Sequence, residues 1–582
     1  MTPADVASSD AASLPYHEPG IITILILVSF LLLLNIVNAA LDRVLYCGLL
    51  GQVLIGIAWG TPGAKWLSSE VEEVVVQLGY IGLILLVYEG GLTTSFKPLR
   101  ANLMLSSGVA LTGICIPIGL SYTLQGLLHA TPLQAFAAGA ALCSTSLGTT
   151  FTVLGSSGLS ASRLGVVLTS AAMMDDVVGL VMVQVISNLG GADFNAITVV
   201  RPVLVSIVFA VMIPVACLFI LKPSTLWLNR YRVSHPSTKL SGLLTTTQAA
   251  FTFHTALLIA LISGATWAGT SNLFAAYIAG ATVSWWDSEV PHVQQRLEPL
   301  KEKARVANGP SSAPTDAITC TGRAGDSNVP TSPGDNDQAQ EPAHQETNEM
   351  CGVAIYKLYY HQAVSKILQP LFFASIGFSI PITRMFRGAI VWRGLIYTVL
   401  MTVAKMACGL WLVRLSIAPS KTIRRLMRTS KLLSVPHFWG NTKPQTAPQP
   451  STATPNQTTI AASEADAPMP TSSDERTSSP NASKPLSIHP PLILALAMCA
   501  RGEIGFLISG VAESKGMFSP PGVVSGEPSD IFLVVTWAIL LCTIIGPLGV
   551  GLSVRRVRKL QDRKNRQQEG TGRDVLGVWG VE

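Results

Sequence analysis

The chain is a succession of long apolar runs separated by short polar punctuation. Such runs recur at 21–40, 44–59, 72–92, 103–127, 133–154, 163–188, 201–221, 247–267, 269–285, 363–382, 388–413, 489–512 and 530–553. An α-helix needs about 20 apolar residues to cross the hydrocarbon core of a bilayer. The runs are continuously apolar, not alternating. A spanning segment must also satisfy its own backbone polar groups, so helices are predicted and a barrel is not. The fold class expected is an all-α polytopic membrane protein with about thirteen transmembrane helices. The pair within 247–285 is parted only by Gly264, Gly269 and Asn272, which mark a turn or a kink.

The polar punctuation carries its own pattern. With the N-terminus outside, the inside loops hold Arg43, then Lys97 and Arg100, then Arg163, then Lys222, Arg230, Arg232 and Lys239. Further along come Arg424, Arg425, Arg428 and Lys431, and after the last run Arg555, Arg556, Arg558 and Lys559. The outside loops hold Lys65, Arg201 and Lys515, with Arg384 and Arg387 as the exception. Basic residues favour the cytoplasmic side, so this asymmetry supports thirteen spans with the N-terminus extracytoplasmic and the C-terminus cytoplasmic. Merging 247–285 into one helix would turn the later basic loops outward.

Two stretches differ in kind. Residues 286–350 and 416–488 are rich in Pro, Ser, Thr, Asp and Gln and lack apolar periodicity, as disordered segments do. The organisation expected is an extracytoplasmic segment 1–19, a membrane region 20–285 with spans one to nine, and a disordered cytoplasmic loop 286–362. Spans ten and eleven follow at 363–413, then a second disordered loop 414–488, spans twelve and thirteen at 489–553, and a basic cytoplasmic tail 554–582. The N-glycosylation triplets at Asn456 and Asn481 fall in the second loop, the wrong compartment for that modification, and are read as chance matches. No Lys or Arg precedes Gly20, so the first run is expected to be retained rather than cleaved as a signal peptide.

Composition agrees. Hydrophobic residues make up 49% of the 582 positions and charged ones only 13%, against roughly 25% charged in soluble domains. The net charge of +6 sits mostly in loops and reads as membrane topology, not nucleic-acid binding. The nine cysteines contain no CxxC pair and read as small packing residues. No nucleotide-binding Walker motif occurs, and no cofactor is expected.

Ionisable side chains inside spans are costly, about 2.5–3.5 kcal/mol each on insertion scales, so each is a candidate for function. Asp175 and Asp176 are adjacent near the middle of the sixth span. Neighbours on a helix point about 100° apart, so one can meet a partner in the protein while the other faces a water-filled cavity. Lys405, in the middle of the eleventh span, needs a counter-charge, and one of these aspartates is the one available. Leu142-Cys-Ser-Thr-Ser-Leu-Gly-Thr-Thr in the fifth span concentrates hydroxyls around a glycine and suggests a broken helix whose freed oxygens suit a small cation. Arg501-Gly-Glu503 in the twelfth span suggests an ion pair beside glycines, at a second break or a gate. Glu89, near the inner end of the third span, is a possible accessory acid.

Taken together, Glu89-Gly-Gly-Leu, Cys143-Ser-Thr-Ser, Asp175–Asp176, Ser375-Ile-Gly-Phe-Ser, Lys405 and Arg501-Gly-Glu resemble, in order and spacing, the monovalent cation:proton antiporter superfamily with its sodium/hydrogen exchanger domain. The resemblance covers about 20–555 outside the two polar loops. It implies inverted six-helix repeats, spans 1–6 and 8–13, with two broken crossing helices, five and twelve. It implies Asp176 as the principal ion and proton site, which a monovalent cation would occupy, with Asp175 as the partner of Lys405 and Ser144 and Thr145 lining the site. One departure stands out: the family often has Pro after the Ser or Asp of the broken helix, where this chain has Leu147-Gly148.

The function expected is secondary active exchange of a monovalent cation, Na+ or K+, for H+ by alternating access, with no enzymatic activity, in a lipid bilayer and as a homodimer. A proton and a cation that compete for one carboxylate are thereby coupled. A cation channel or a non-transporting sensor is the alternative, though neither needs titratable acids at mid-span. An intramembrane aspartyl protease is a weaker alternative still. Its two aspartates face each other from different helices, and adjacent ones on one helix cannot flank a peptide bond.

Overall fold

A computed structural model describes residues 18–94, 96–146, 148, 162–190, 196–235, 242, 246–289, 351–413, 488–519, 528–567, 576 and 579. These residues form helices and connecting turns, with no strand among them. In chain order the principal helices are α1 (Ile21–Leu45), α2 (Gly48–Trp59), α3 (Ser69–Leu92), α4 (Leu103–Ser121) and α5 (Pro132–Ala141). Next come α6 (Arg163–Leu189), α7 (Ala196–Ala216), α8 (Thr247–Ala268) and α9 (Asn272–Glu289). Then follow α10 (Gly352–Tyr359), α11 (Gln369–Phe378), α12 (Gly388–Met406), α13 (His489–Cys499), α14 (Glu503–Ser514) and α15 (Asp530–Gln567). Among the described residues, nine helical stretches are long and apolar enough to cross a membrane; α13 and α14 together form one of them. The chain is an all-α polytopic membrane protein.

Polar residues fix the helix starts. Ser68, Ser162 and Thr246 each accept a hydrogen bond from a backbone N–H in the first turn of α3, α6 and α8. Thr131 and Gln134 form a reciprocal capping box at the start of α5. Gly269, at φ 83°, ends α8 in the left-handed region that favours glycine, so 247–285 divides into two helices at that turn.

Packing sorts the helices by depth. Only 11% of the α1 span is buried, and 11% of the α7 span, against 78% of the α13–α14 span. Apolar side chains such as Ile22, Leu25, Val208 and Phe219 are left exposed on α1 and on α7 with its continuation, as a lipid-facing surface requires. Inside, α4 packs on α5, α6 and α12, while α14 packs on α5 and α6, and α13 on α12 and α15. These central helices carry nearly every charge buried in the fold.

Two sequence expectations need correction. The first polar loop was expected to run over 286–362, but 286–289 complete α9 and 352–359 and 361–362 are helical, with Ile355 and Tyr356 buried. Lys357, His361 and Gln362 dilute the hydropathy of a segment that packs inward on one side only. The basic tail was expected from 554, but α15 continues to Gln567, since Arg, Lys and Gln sustain a helix once it leaves the apolar run. The fifth helix ends at Ala141, where the sequence suggested a break. Residues 147 and 149–161 lie outside the described set, as do 1–17, 290–350 and 414–487, which include Asn456 and Asn481.

Candidate functional site

Two helix breaks lie side by side. After α5, the chain turns at Leu142–Cys143 and runs non-helically through Ser144, Thr145 and Ser146. After α13, Ala500 and Gly502 are extended and α14 begins at Glu503. The Ser146 N–H donates to the Ala500 carbonyl at 3.0 Å, joining the two breaks through their backbones. A Cβ on Gly502 would sit 2.5 Å from Ser146 Oγ and 2.7 Å from its Cβ, so only glycine permits this approach.

Carbonyls freed by the first break are taken by cationic side chains of the protein itself. Lys405, from α12, donates to the Cys143 carbonyl at 2.6 Å, to Thr145 Oγ1 at 3.0 Å and to Asp175 Oδ2 at 2.7 Å. An ammonium has three N–H donors, and all three are used. Thr145 in turn donates to Asp175 Oδ2 at 2.9 Å. Arg501 donates from Nη1 to the Ser144 carbonyl at 2.7 Å and to the Cys143 carbonyl at 3.4 Å, and Thr543 donates to the Arg501 carbonyl at 2.8 Å. Lys405, Asp175 and Arg501 are wholly buried. Gly113 on α4 makes room for the pair, because a Cβ there would lie 3.0 Å from Lys405 Nζ and 3.2 Å from Asp175 Oδ2.

Asp176 has a different setting. It is buried, and its Oδ1 has no hydrogen-bond partner in the protein. The charged groups around it are Glu503, Asp175 and Lys405. Glu503 opens α14 and accepts from Ser146 Oγ at 3.4 Å. Asp175 is thus engaged in a salt bridge through Oδ2, whereas Asp176 makes none among the described residues; Oδ1 of each is buried without a hydrogen-bond partner.

The structure brings Asp175, Asp176, Thr145, Lys405, Arg501 and Glu503 together around the two breaks. Ser144 is there too, contributing its carbonyl to Arg501 while its side chain packs near Gly179. Glu89 is elsewhere. It pairs with His361 at 3.7 Å, between α3 and the segment after α10. The ion pair expected between Arg501 and Glu503 is absent among the described residues. Residues two apart do not face each other: Arg501 turns to the first break while Glu503 enters the helix. Sequence reasoning missed Thr543 and Gly113, and it offered the freed carbonyls to a cation where Lys405 and Arg501 take those of Cys143 and Ser144. A lone hydroxyl in the apolar run Leu541-Cys-Thr-Ile and a glycine in Leu111-Thr-Gly-Ile were the available signals.

Interrupted helices that meet at buried charges, within an otherwise apolar helical protein, define the architecture of secondary transporters with discontinuous membrane helices. A family model described as "Sodium/hydrogen exchanger, transmembrane" matches residues 24–309. Residues 24–309 belong to this sodium/hydrogen exchanger family, part of the superfamily that the sequence resembles. It is 30% identical over 152 residues to "Na(+)/H(+)-K(+) antiporter GerN" and 32% identical over 164 residues to "Probable Na(+)/H(+) antiporter GerT", both of Bacillus cereus. It is 32% identical over 140 residues to "High-affinity Na(+)/H(+) antiporter NhaS3" of Synechocystis sp.. These matches cover 26%, 28% and 24% of this chain. They span less than half of each relative, at 39%, 43% and 30% of its length. Among solved structures, the sodium proton antiporter MjNhaP1 from Methanocaldococcus jannaschii at pH 8 aligns over 92% of this chain and 98% of that one, at 12% identity and a TM-score of 0.49.

Proposed function

We propose that this protein is a secondary active antiporter that exchanges a monovalent cation, Na+ or K+, for H+. The observation that carries the reading is the division of labour between adjacent aspartates. Asp175 is neutralised by Lys405 at 2.7 Å, whereas Asp176, which also has a buried oxygen without a protein partner, makes no salt bridge among the described residues. A buried carboxylate without a partner is costly unless a proton or a cation binds it. Competition between the two for Asp176 couples their movements, and alternating access carries the loaded site from one side to the other. Ser144 and Thr145 hold the break beside the site, and Arg501 binds the freed carbonyls in place. The printed names of relatives, among them a Na(+)/H(+)-K(+) antiporter, favour Na+ and K+ as cargo.

Within this proposal the N-terminus is extracytoplasmic, the C-terminus cytoplasmic and the protein a homodimer. The basic residues of the cytoplasmic loops support the orientation. The test is proton flux into proteoliposomes holding the purified protein, with one cation gradient imposed at a time. Saturable flux driven by Na+ or K+ is expected. Flux that is linear in cation concentration and insensitive to a proton gradient would favour a channel instead.

A further inference from the structure

We propose that Glu503 supplies a second carboxylate of the cation site, so that the ion is held between Asp176 on α6 and the first residue of α14, with the Ser146 hydroxyl alongside. The inference rests on the antiporter reading of Asp176 and assigns the ligand that faces it. Glu503 stands at the second break, directly after the glycine that allows that break to touch the first. Ser146 Oγ donates to its Oε2 at 3.4 Å, a long contact, and a backbone N–H at the start of α14 also bears on the carboxylate. Among the described residues, no Lys, Arg or His nitrogen lies within ion-pair distance of it. The nearest cationic residue in sequence, Arg501, is committed to the Cys143 and Ser144 carbonyls.

The second, independent observation is Asp176 itself, which is 5% exposed with an unpartnered buried oxygen. A Cβ on Gly179, one turn along α6 from Asp176, would lie 2.9 Å from Ile504, the residue after Glu503, so this stretch of α6 packs on the start of α14. Two carboxylates close together in an apolar interior repel strongly unless something positive sits between them. Carboxylate and hydroxyl oxygens are the hard ligands that an alkali cation takes. Charge balance agrees. The cluster holds Asp175, Asp176 and the partly buried Glu503 against Lys405 and Arg501, so with all three acids ionised there is an excess of one negative charge that one monovalent cation neutralises.

A purely structural reading is also available. An acid in the first turn of a helix is stabilised by the helix dipole, and Glu503 occupies that position. The two readings part on ion binding. The test uses full-length protein, wild type, Glu503→Gln, Glu503→Asp and Asp176→Asn. Initial rates are read in proteoliposomes, and melting temperature in detergent is read against titrated Na+ and K+. Glu503→Gln is expected to raise the KM for the cation roughly tenfold or more, the order of one lost charged contact. Its kcat should stay near wild type, its melting temperature without cation should hold, and Glu503→Asp should recover most of the KM. A KM within twofold of wild type in Glu503→Gln, with Asp176→Asn inactive, would overturn the assignment and leave the antiporter reading standing. If wild type exchanges neither cation, the antiporter reading fails, and the melting titration then decides. A cation-dependent rise in melting temperature that disappears in Glu503→Gln supports the ligand role. An undiminished rise in that variant, or no rise in wild type, overturns it.

Discussion

Lys405 Nζ lies 2.7 Å from Asp175 Oδ2, and neither side chain has any exposure to solvent. The ammonium has two further acceptors, the Cys143 carbonyl and Thr145 Oγ1, so the pair also ties α12 and α6 to the break that follows α5. Removing one partner of such a pair leaves a buried charge without compensation, at a cost of about 3–5 kcal/mol. Lys405→Ala and Asp175→Ala should each lower the melting temperature in detergent. The double variant should lose less than the sum of the two, because neither charge is then stranded. Strictly additive losses would count against direct coupling.

Asp176 should be indispensable for exchange and dispensable for folding. Asp176→Asn keeps the shape of the side chain and removes its ability to trade a proton for a cation. It also removes a buried carboxylate whose Oδ1 has no protein partner. Membrane insertion and melting temperature should hold or improve while cation-driven proton flux is abolished. Substantial residual exchange in proteoliposomes would remove Asp176 from the central role.

Two glycines of the same segment should respond in opposite directions. At Gly502 a Cβ would collide with Ser146, so Gly502→Ala must push the two breaks apart, at a cost of about 1–3 kcal/mol. At Gly510, inside α14, a Cβ meets nothing within 4 Å, and alanine is the better helix former by roughly 0.5–1 kcal/mol. Melting curves of the two variants should move down and up respectively, and exchange should suffer only in Gly502→Ala. Equal behaviour would mean that the contact between the breaks does not matter to either property.

Much of the site could be read in the sequence because the bilayer makes charge conspicuous. Lys405 in mid-span demanded a counter-charge, and the adjacent aspartates were the nearest candidates in chemistry. Hydroxyl-rich Cys143-Ser-Thr-Ser pointed to the helix break for the same reason. What stayed hidden was the work of backbone atoms and of absent ones. The carbonyls of Cys143 and Ser144 carry no sequence signature, yet they hold Lys405 and Arg501. Gly113 and Gly502 act by lacking a Cβ, which shows only once the helices are assembled. The helix over Gly352–Tyr359 was missed because a few polar residues on its outer side masked the buried Ile355 and Tyr356.

The two polar loops should be dispensable for exchange itself. Residues 300–345 and 440–485 lack the apolar content from which a core is built, and loop length costs little in closure entropy, about 0.6 kcal/mol per doubling. Replacing each by a short Gly/Ser linker should leave turnover near that of the full chain. Loss of exchange in a correctly inserted deletion variant would show that these segments take part in transport.

Charge movement is the last expectation. Exchange carries net charge only if more than one proton moves per cation, which needs a second titrating group coupled to Asp176. The Asp175–Lys405 pair is the group available, adjacent in sequence and joined to the same break through Thr145. In the superfamily that the sequence resembles, a paired-aspartate motif with a lysine partner goes with electrogenic exchange, and an Asn-Asp motif with electroneutral exchange. Electrogenic exchange is therefore expected here. Each net charge carried across would feel about 2.3 kcal/mol per 100 mV of membrane potential. An imposed potential of 100 mV should then shift the equilibrium Na+ gradient in sealed proteoliposomes, in opposite directions for opposite signs. The potential is set with valinomycin and K+, and Na+ serves as the transported ion. Asp175→Asn with Lys405→Ala, if it still exchanges, should lose this dependence. An equilibrium gradient that ignores both signs of potential in wild type would establish one-for-one exchange, with Asp176 as the sole group that changes its proton during the cycle.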